Sequence, residues 1–450
     1  MKEEFIGEWF YPNDKDKRIH GILVISENNQ IMLTLTGEIE DLNSLGPQKI
    51  INGIESKGKL ITLIDCMQTG AYFNTEGKPI INYIVYMMIT GAHYNSIENI
   101  KIKTFKSNYT DLSKWISVNP FDFEYNKDND GFVVKCNFES MKIYDIKDFK
   151  FIIKSGYPTE CNLYDKLTIL RKPYVEFELK ERKNILESIE IAKHFGNLLT
   201  MCIGKRVSYY DTEFIDVDDN RINIIFNKMT ITRETDIDRD EIFITYNTVK
   251  DNFEDMLQQW YKDKEKLQPI INSLVEVIGE DTFKIPITFM KVIQAVEAFS
   301  RRMRNNDVID EEEHNNRINR ILSVIKNEDD KIWLSDILKY SNEPPLPKRL
   351  KNLLKELDFL VKTNSKEKDK LCWKISKTRN YYTHFDESNK EQIMNIDEIF
   401  RFTRYIQLAL RILILIDLGI SQESIKKSII NNLDARFTRD YFKKEFSLQN

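Results

Sequence analysis

Asn252-Phe-Glu-Asp-Met-Leu-Gln-Gln-Trp260-Tyr-Lys-Asp-Lys-Glu-Lys-Leu267-Gln-Pro-Ile-Ile271-Asn-Ser-Leu-Val-Glu-Val-Ile278 is the stretch that decides how this chain is built. Phe253, Met256, Trp260, Leu267, Ile271, Leu274 and Val277 recur at the spacing of one helical face, and Gly279 supplies a stop. Helical periodicity continues downstream. Pro286 suits the first turn of a helix running to about Arg304. Further helices are expected over Glu311–Lys326, Lys331–Tyr340, Pro347–Val361, Ser365–Tyr382, Ile396–Leu418 and Gln422–Leu433, with the short loops of a bundle.

Upstream the period is different. Ile22-Leu-Val-Ile, Gln30-Ile-Met-Leu-Thr-Leu-Thr, Leu60-Ile-Thr-Leu-Ile, Ile81-Asn-Tyr-Ile-Val-Tyr, Gly131-Phe-Val-Val-Lys-Cys-Asn-Phe and Ile222-Asn-Ile-Ile-Phe are short, β-branched or aromatic runs between polar turns. Polar residues at alternate positions predict antiparallel sheets with one wet face. One helix interrupts them, over Leu186–Ile203, ended by Gly204. The expected class is α+β: a β-rich antiparallel half, residues 1–248, then an all-helical half, residues 249–450.

The chain carries 66 Lys/Arg and 71 Asp/Glu, a formal charge of -5, so it is not a general nucleic-acid coat, and any RNA contact must be local. The five cysteines are dispersed with no C-x-x-C, the pattern of thiols in a reducing cytoplasm. Met1-Lys-Glu-Glu-Phe5 has no apolar core of a signal peptide. The apolar run Tyr405–Ile420 is interrupted by Arg411 and Asp417, which predicts a buried helix and no membrane span. A cytoplasmic, soluble protein is expected.

P-loop, zincin and G-x-S-x-G signatures are missing from the sequence. Asp216-Val-Asp-Asp-Asn220 has acids at calcium-loop spacing, but Arg221 and Asn227 stand where glycine and a closing glutamate are needed, so an ordinary acidic loop is expected. Glu311-Glu-Glu-His314 reads as an acidic helix start. No metal or cofactor is expected. His20, His93 and His194 have no evident chemical partner in sequence, and structural or surface roles are expected for them.

The fifth histidine, His384, closes Thr378-Arg379-Asn380-Tyr381-Tyr382-Thr383-His384. An Arg and a His five apart is a weak signal, but it sits in an unusual setting. From Pro345 to His384 there are eleven Lys/Arg against four Asp/Glu, a net of +7. RNA cleavage by 2′-OH attack needs a base, an acid and a cation on the phosphate. Histidine supplies proton transfer near neutrality, and arginine a permanently charged fork. Asn380 can orient a phosphate or the imidazole, and Tyr381 and Tyr382 can stack an unpaired base. Lys374 and Lys377 are candidate RNA-binding cations. In an unbroken helix Arg379 and His384 stand about 140° apart. Either the helix ends near Tyr382, with Asp386 and Ser388-Asn389 in a loop, or two chains assemble the site. A two-fold axis would then bring two arginines and two histidines together.

These residues resemble the HEPN ribonucleases, whose signature is an Arg followed four to six residues later by His, often with a polar residue after the Arg. Pro286 to Met303, Pro347 to Leu354 and Phe400 to Ser421 resemble the rest of an ApeA-type HEPN domain. Gly7-Glu-Trp-Phe-Tyr11 and Tyr109-Thr-Asp-Leu112-Ser-Lys-Trp115 are similar to the N-terminal domain that accompanies it. The resemblance implies an antiphage abortive-infection protein: a metal-independent endoribonuclease in residues 249–450 and a sensing or regulatory half in residues 1–248. It implies Arg379, Asn380 and His384 as catalytic, with RNA, tRNA first, as substrate. It also implies a homodimer or higher homo-oligomer through the helical domain, and a phage protein as a possible trigger. Glu297 is an accessory candidate, as is Tyr382; an i,i+4 pair with Arg301 is the plainer expectation for Glu297. A non-catalytic HEPN-type bundle serving dimerisation, RNA or partner binding is the alternative.

Overall fold

The computed structural model describes residues 3–37, 48–73, 77–126, 131–137, 141–162, 164–227, 238–279, 284–304, 307–362, 364–385 and 387–446. Its internal contacts divide the chain into one unit of residues 1–199 with 207–236 and a second of residues 200–206 with 237–450.

The first unit is antiparallel throughout. Strands β1 (Glu3–Phe10), β2 (Ile19–Ile25), β3 (Ile31–Thr36), β4 (Gln48–Glu55), β5 (Leu60–Tyr72) and β6 (Ile80–Thr90) follow the order β6-β3-β2-β1-β4-β5, and β5 pairs back onto β6. That last pairing closes a barrel. Alternation explains the wall: β2 and β3 bury every second residue, so Leu23, Ile25, Ile31, Leu33 and Leu35 point inward. A register shift between Gln68 and Gly70 lets long β5 curve. Trp9 is fully buried and lies over two glycines on flanking strands. A Cβ on Gly53 would stand 2.3 Å from its ring, and one on Gly21 2.9 Å from it.

Strand β6 divides its outer edge: Ile80–Ile84 pair with β3, and Met87–Thr90 with a later strand. There the sheet continues outside the barrel, through Arg221–Phe226, Tyr209–Asp216, Lys101–Tyr109, Lys172–Asn184, Phe149–Gly156 and Lys142–Asp145. Two further hairpins complete the strands: Phe121–Asn126 with Gly131–Cys136, and Thr159–Asn162 with Lys166–Ile169. Phe138, expected at the end of one strand, lies outside the described residues.

Helix α1 is a short turn, Leu112–Ile116, and α2 spans Ile185–Ile203. Phe195 on α2 meets the edges of Tyr109, Trp115 and Phe151, and the Tyr109 hydroxyl donates to the Ala192 carbonyl at 3.0 Å. The acidic loop is a turn built on a buried carboxylate. Asp216 accepts from Tyr94, from the Asn220 side chain and from the Asp218 and Asn220 amides, at 2.7–2.9 Å. Burial pushes its pKa up, but these hydrogen bonds outweigh burial and leave it below the ordinary carboxyl value.

The second unit is helical: α3 (Tyr246–Val249), α4 (Phe253–Lys262), α5 (Lys264–Ile278), α6 (Ile285–Met303), α7 (Glu311–Ser323), α8 (Glu328–Leu338), α9 (Leu346–Glu356), α10 (Ser365–His384), α11 (Ile396–Asp417), α12 (Gln422–Asn431) and α13 (Leu433–Glu445). The stretch Asn252–Ile278 is two helices that meet at Asp263. The charged run Lys262–Lys266 offers no apolar side chain to hold one axis straight. Pro269 within α5 cannot donate to the carbonyl of Glu265 four residues back, and Arg302 of α6 donates to that carbonyl at 3.1 Å instead. Helix α11 forms the centre, with thirteen buried residues. The two charges that interrupt its apolar run are both engaged: Asp417 binds Arg304, which also binds Glu356, and Arg411 donates to the Met201 carbonyl. Among the described residues no helix is long and apolar enough to cross a membrane.

Candidate active site

Helix α10 is bound to its neighbours by a regular stripe. Lys368, Leu371, Cys372, Ile375 and Thr378 are buried at steps of three and four residues. Asn364 caps its first turn by accepting from the Glu367 amide at 2.9 Å. The buried Thr378 hydroxyl donates to the Lys374 carbonyl at 2.8 Å and accepts from the Met394 amide at 2.9 Å, which ties the helix to the chain entering α11. Lys374 strengthens the same joint. Its ammonium lies 2.7 Å from Glu398 Oε2, and Glu398 completes a capping box with Asn395.

The helix does not end near Tyr382. It runs unbroken through His384, and only Phe385, at φ 52°, turns left-handed to cap it. Of the two geometric alternatives, the early helix end is therefore overturned: the Tyr381 carbonyl still accepts from the Phe385 amide, at 2.6 Å. A 3-10 turn, Glu387–Gln392, follows, and Asp386 lies outside the described residues.

With Ile375 taken as the centre of the buried face, Arg379 stands about 40° and Tyr382 about 20° from it, whereas His384 stands about 180° away. Burial agrees. The Arg379 side chain is 30% exposed and faces α6, while His384 lies open to solvent. Among the described residues His384 has no hydrogen-bond partner. Asn380, Lys377 and Trp373 share the outward face with it, each about 140–160° from Ile375. The Lys377 ammonium lies 5.3 Å from the Trp373 ring centroid, and Trp373 is 48% exposed. Sequence reasoning missed Trp373; its spacing to Lys377, Asn380 and His384, at steps of four, three and four, was the available signal.

On its own side Arg379 meets Glu297 of α6 at 3.5 Å, and its Nη1 lies 3.4 Å from Asn380 Oδ1. The expected Glu297–Arg301 pair is replaced: Arg301 instead binds Glu343 at 2.6 Å, and the buried Arg349 binds the same carboxylate at 2.6 Å. Arg379, Glu297, Arg301, Arg302, Glu343 and Arg349 line a cleft of about 660 Å³. With four arginines and two glutamates, the cleft favours an anion. Tyr382 packs edge-on against Phe289, and Tyr381 and Tyr382 meet each other and Phe385. Burial, with Tyr381 beside it, raises the Tyr382 phenol above its ordinary value, so it stays a neutral hydroxyl. Much of the basic run is already paired: Lys351 with Asp369, Lys368 with Asp358 and Lys374 with Glu398.

The other histidines lie elsewhere. The His93 ring nitrogen meets the Gly53 carbonyl at 2.8 Å, and His314 meets Ser341 at 2.9 Å. His194 is buried in α2, and His20 is exposed, 4.0 Å from Glu8.

Residues 4–260 match the ApeA N-terminal domain 1 family, and residues 290–424 match the Apea-like HEPN family. The chain belongs to the ApeA family of HEPN proteins. The first match spans the barrel and its sheet extension, and the second spans α10 with Arg379, Asn380 and His384. No curated protein and no solved structure matches the chain. An ApeA-type architecture thus joins a β-rich N-terminal half to a helical HEPN region, the family setting of abortive infection.

Proposed function

We propose that this ApeA-type protein is a metal-independent endoribonuclease of antiphage abortive infection, acting on tRNA or other cellular RNA. Arg379, Asn380 and His384 on one unbroken helix of the HEPN-matched region carry this reading. In the proposed reaction an imidazole takes the proton of a ribose 2′-OH. The oxygen attacks the adjacent phosphorus, and the bond to the 5′-oxygen breaks as that oxygen receives a proton. The Arg379 guanidinium holds the phosphate oxygens as charge builds on them. Asn380 orients the phosphate or the ring. The products are a 2′,3′-cyclic phosphate and a 5′-OH.

Arg379 and His384 face different directions on α10, so the reading includes a homodimer in which each phosphate meets Arg379 of one chain and His384 of its partner. The outward stripe of exposed Trp373, Asn380 and His384 with the half-buried Lys377 supports this, because it joins an aromatic face and a cation to the two polar groups on one side of the helix. Lys377 and Tyr381 are proposed to contact RNA, with Glu297 holding Arg379 in place before substrate arrives.

The test incubates purified protein with tRNA and total RNA in EDTA. Arg379→Ala and His384→Ala are each expected to abolish cleavage. Mixed and reassociated, the two variants should recover roughly a quarter of wild-type activity, since half the dimers are mixed and each keeps one intact site. No cleavage by the wild type, even with its activating trigger, refutes the enzyme and leaves a binding bundle; cleavage by the single variants at the wild-type rate refutes Arg379 and His384 as its site. Failure of the mixture to recover activity refutes the shared site.

A further inference from the structure

Arg411 has no role in the cleavage reading, yet it is the most unusual charge in the helical unit. It lies on α11, in that helix's buried middle, at 8% exposure. Its Nε and Nη2 both donate to the Met201 carbonyl, at 3.2 and 3.0 Å, and so cap the last turn of α2. Gly204, at φ 91°, makes room for this: a Cβ there would stand 2.8 Å from Nη2 and 3.0 Å from Nη1. The Phe243 ring centroid lies 5.2 Å from the guanidinium carbon. Among the described residues, no carboxylate bonds Arg411 and its Nη1 has no hydrogen-bond partner. Burying a cation with no counter-charge is costly, and a carbonyl dipole offsets only part of that cost. Burial lowers the guanidinium to about 10, which still leaves it charged at neutral pH.

The guanidinium borders a cleft of about 400 Å³. The other charges on its wall are matched in pairs: Lys205 with Glu241 at 2.8 Å, and Arg404 with Asp434. Arg411 is therefore the charge left over. The first turn of the 13-residue helix α13, Leu433–Ala435, forms another side of the cleft and adds the positive end of a helix dipole. Phe243 and Phe437 supply aromatic surface. A buried planar cation with a free N–H edge, a helix N-terminus and two rim cations converge on one concave space. Its volume falls in the roughly 300–1,000 Å³ range of small-ligand sites.

We infer that this cleft binds a small phosphorylated molecule, with Arg411 receiving the phosphate and Lys205 and Arg404 guarding the rim. The site is separate from the proposed RNA-cleaving residues, and phosphate suits it because the guanidinium fork and the helix N-terminus both match a tetrahedral anion. Occupation would tie α11, the end of α2 and the start of α13 together through one ligand.

The test measures binding by calorimetry and by thermal unfolding of the full-length protein. Inorganic phosphate and AMP are the probes, and adenosine is the uncharged control. Phosphate and AMP are expected to raise Tm saturably, and adenosine to leave it unchanged. AMP binding at least tenfold tighter than phosphate assigns the base to the aromatic wall; equal affinities assign the phosphate alone. Arg411→Met should abolish binding, but it also uncaps Met201. The deciding variant is therefore the rim double substitution Lys205→Ala/Arg404→Ala, expected to weaken both probes at least tenfold while unfolding at the unliganded wild-type temperature. Arg379→Ala should bind as the wild type does, which keeps this site distinct from the RNA site. The inference is overturned if neither probe binds, if the rim variant binds like wild type, or if Arg379→Ala loses binding.

Discussion

Thr378→Val tests how the candidate site is held. The substitution keeps the shape of the side chain and exchanges a hydroxyl for a methyl. By hydrophobicity alone it should stabilise, because position 378 is fully buried. The geometry predicts the opposite. The hydroxyl is the acceptor for the Met394 amide at 2.9 Å, and Met394 is itself 1% exposed, so valine leaves a buried N–H without a partner. That omission costs about 1–3 kcal/mol. For a domain of this size about 2 kcal/mol lowers Tm by roughly 4–8 °C. Thr378→Ser keeps the hydroxyl and loses one methyl, at about 1 kcal/mol. Urea and thermal unfolding of the three proteins are the assay. A valine variant as stable as the wild type would mean that Met394 finds another acceptor and that the hydroxyl does not pin α10 to the entry of α11.

Three other outcomes follow from particular contacts. Gly53→Ala drives a Cβ to within 2.3 Å of the Trp9 ring and should cost at least about 1–3 kcal/mol, read as lower soluble yield and an earlier unfolding transition. Asp216 has a folded-state pKa held below the ordinary carboxyl value, so its contribution is complete above about 3.8 and is lost as pH falls below it. Asp216→Asn should therefore cost about 1–2 kcal/mol at pH 7 and less at pH 3, measured by denaturant titration at both; a gap that widens in acid contradicts the hydrogen-bond account. Arg302→Leu returns the Glu265 carbonyl to solvent at an exposed site and should cost no more than about 1 kcal/mol by the same titration, because water can replace the guanidinium.

The change of period near Val249 set most strands apart from most helices, because burial on one face imposes its spacing directly on sequence. Pro286, Gly204 and Gly279 marked helix ends through local chemistry that needs no tertiary partner. Helix α13 was not expected: its buried residues are Ala435, Thr438 and Phe442, and one large apolar side chain makes no visible stripe. Barrel closure was equally hidden, since the pairing of β5 with β6 is a property of register between strands and not of either strand alone. At the candidate site, Arg379, Asn380 and His384 were nominated by local charge and the family resemblance, since their spacing alone is a weak signal. The Arg379–Glu297 contact could not be read in this way, because Glu297 had a sequence-local partner in Arg301, and only the approach of the Glu343 loop draws that arginine away.

The unbroken course of α10 through His384 has a consequence for dosage. If the proposed shared site holds, a chain whose arginine and histidine look in different directions would be inert while alone, and the nuclease would follow the population of pairs, not of molecules. Where single chains predominate, halving the cellular concentration should cut the cleavage rate roughly fourfold. A bacterium can then carry the protein at low copy with little self-damage. On that proposal, any event that gathers chains together, even without altering one of them, would be sufficient to start the reaction.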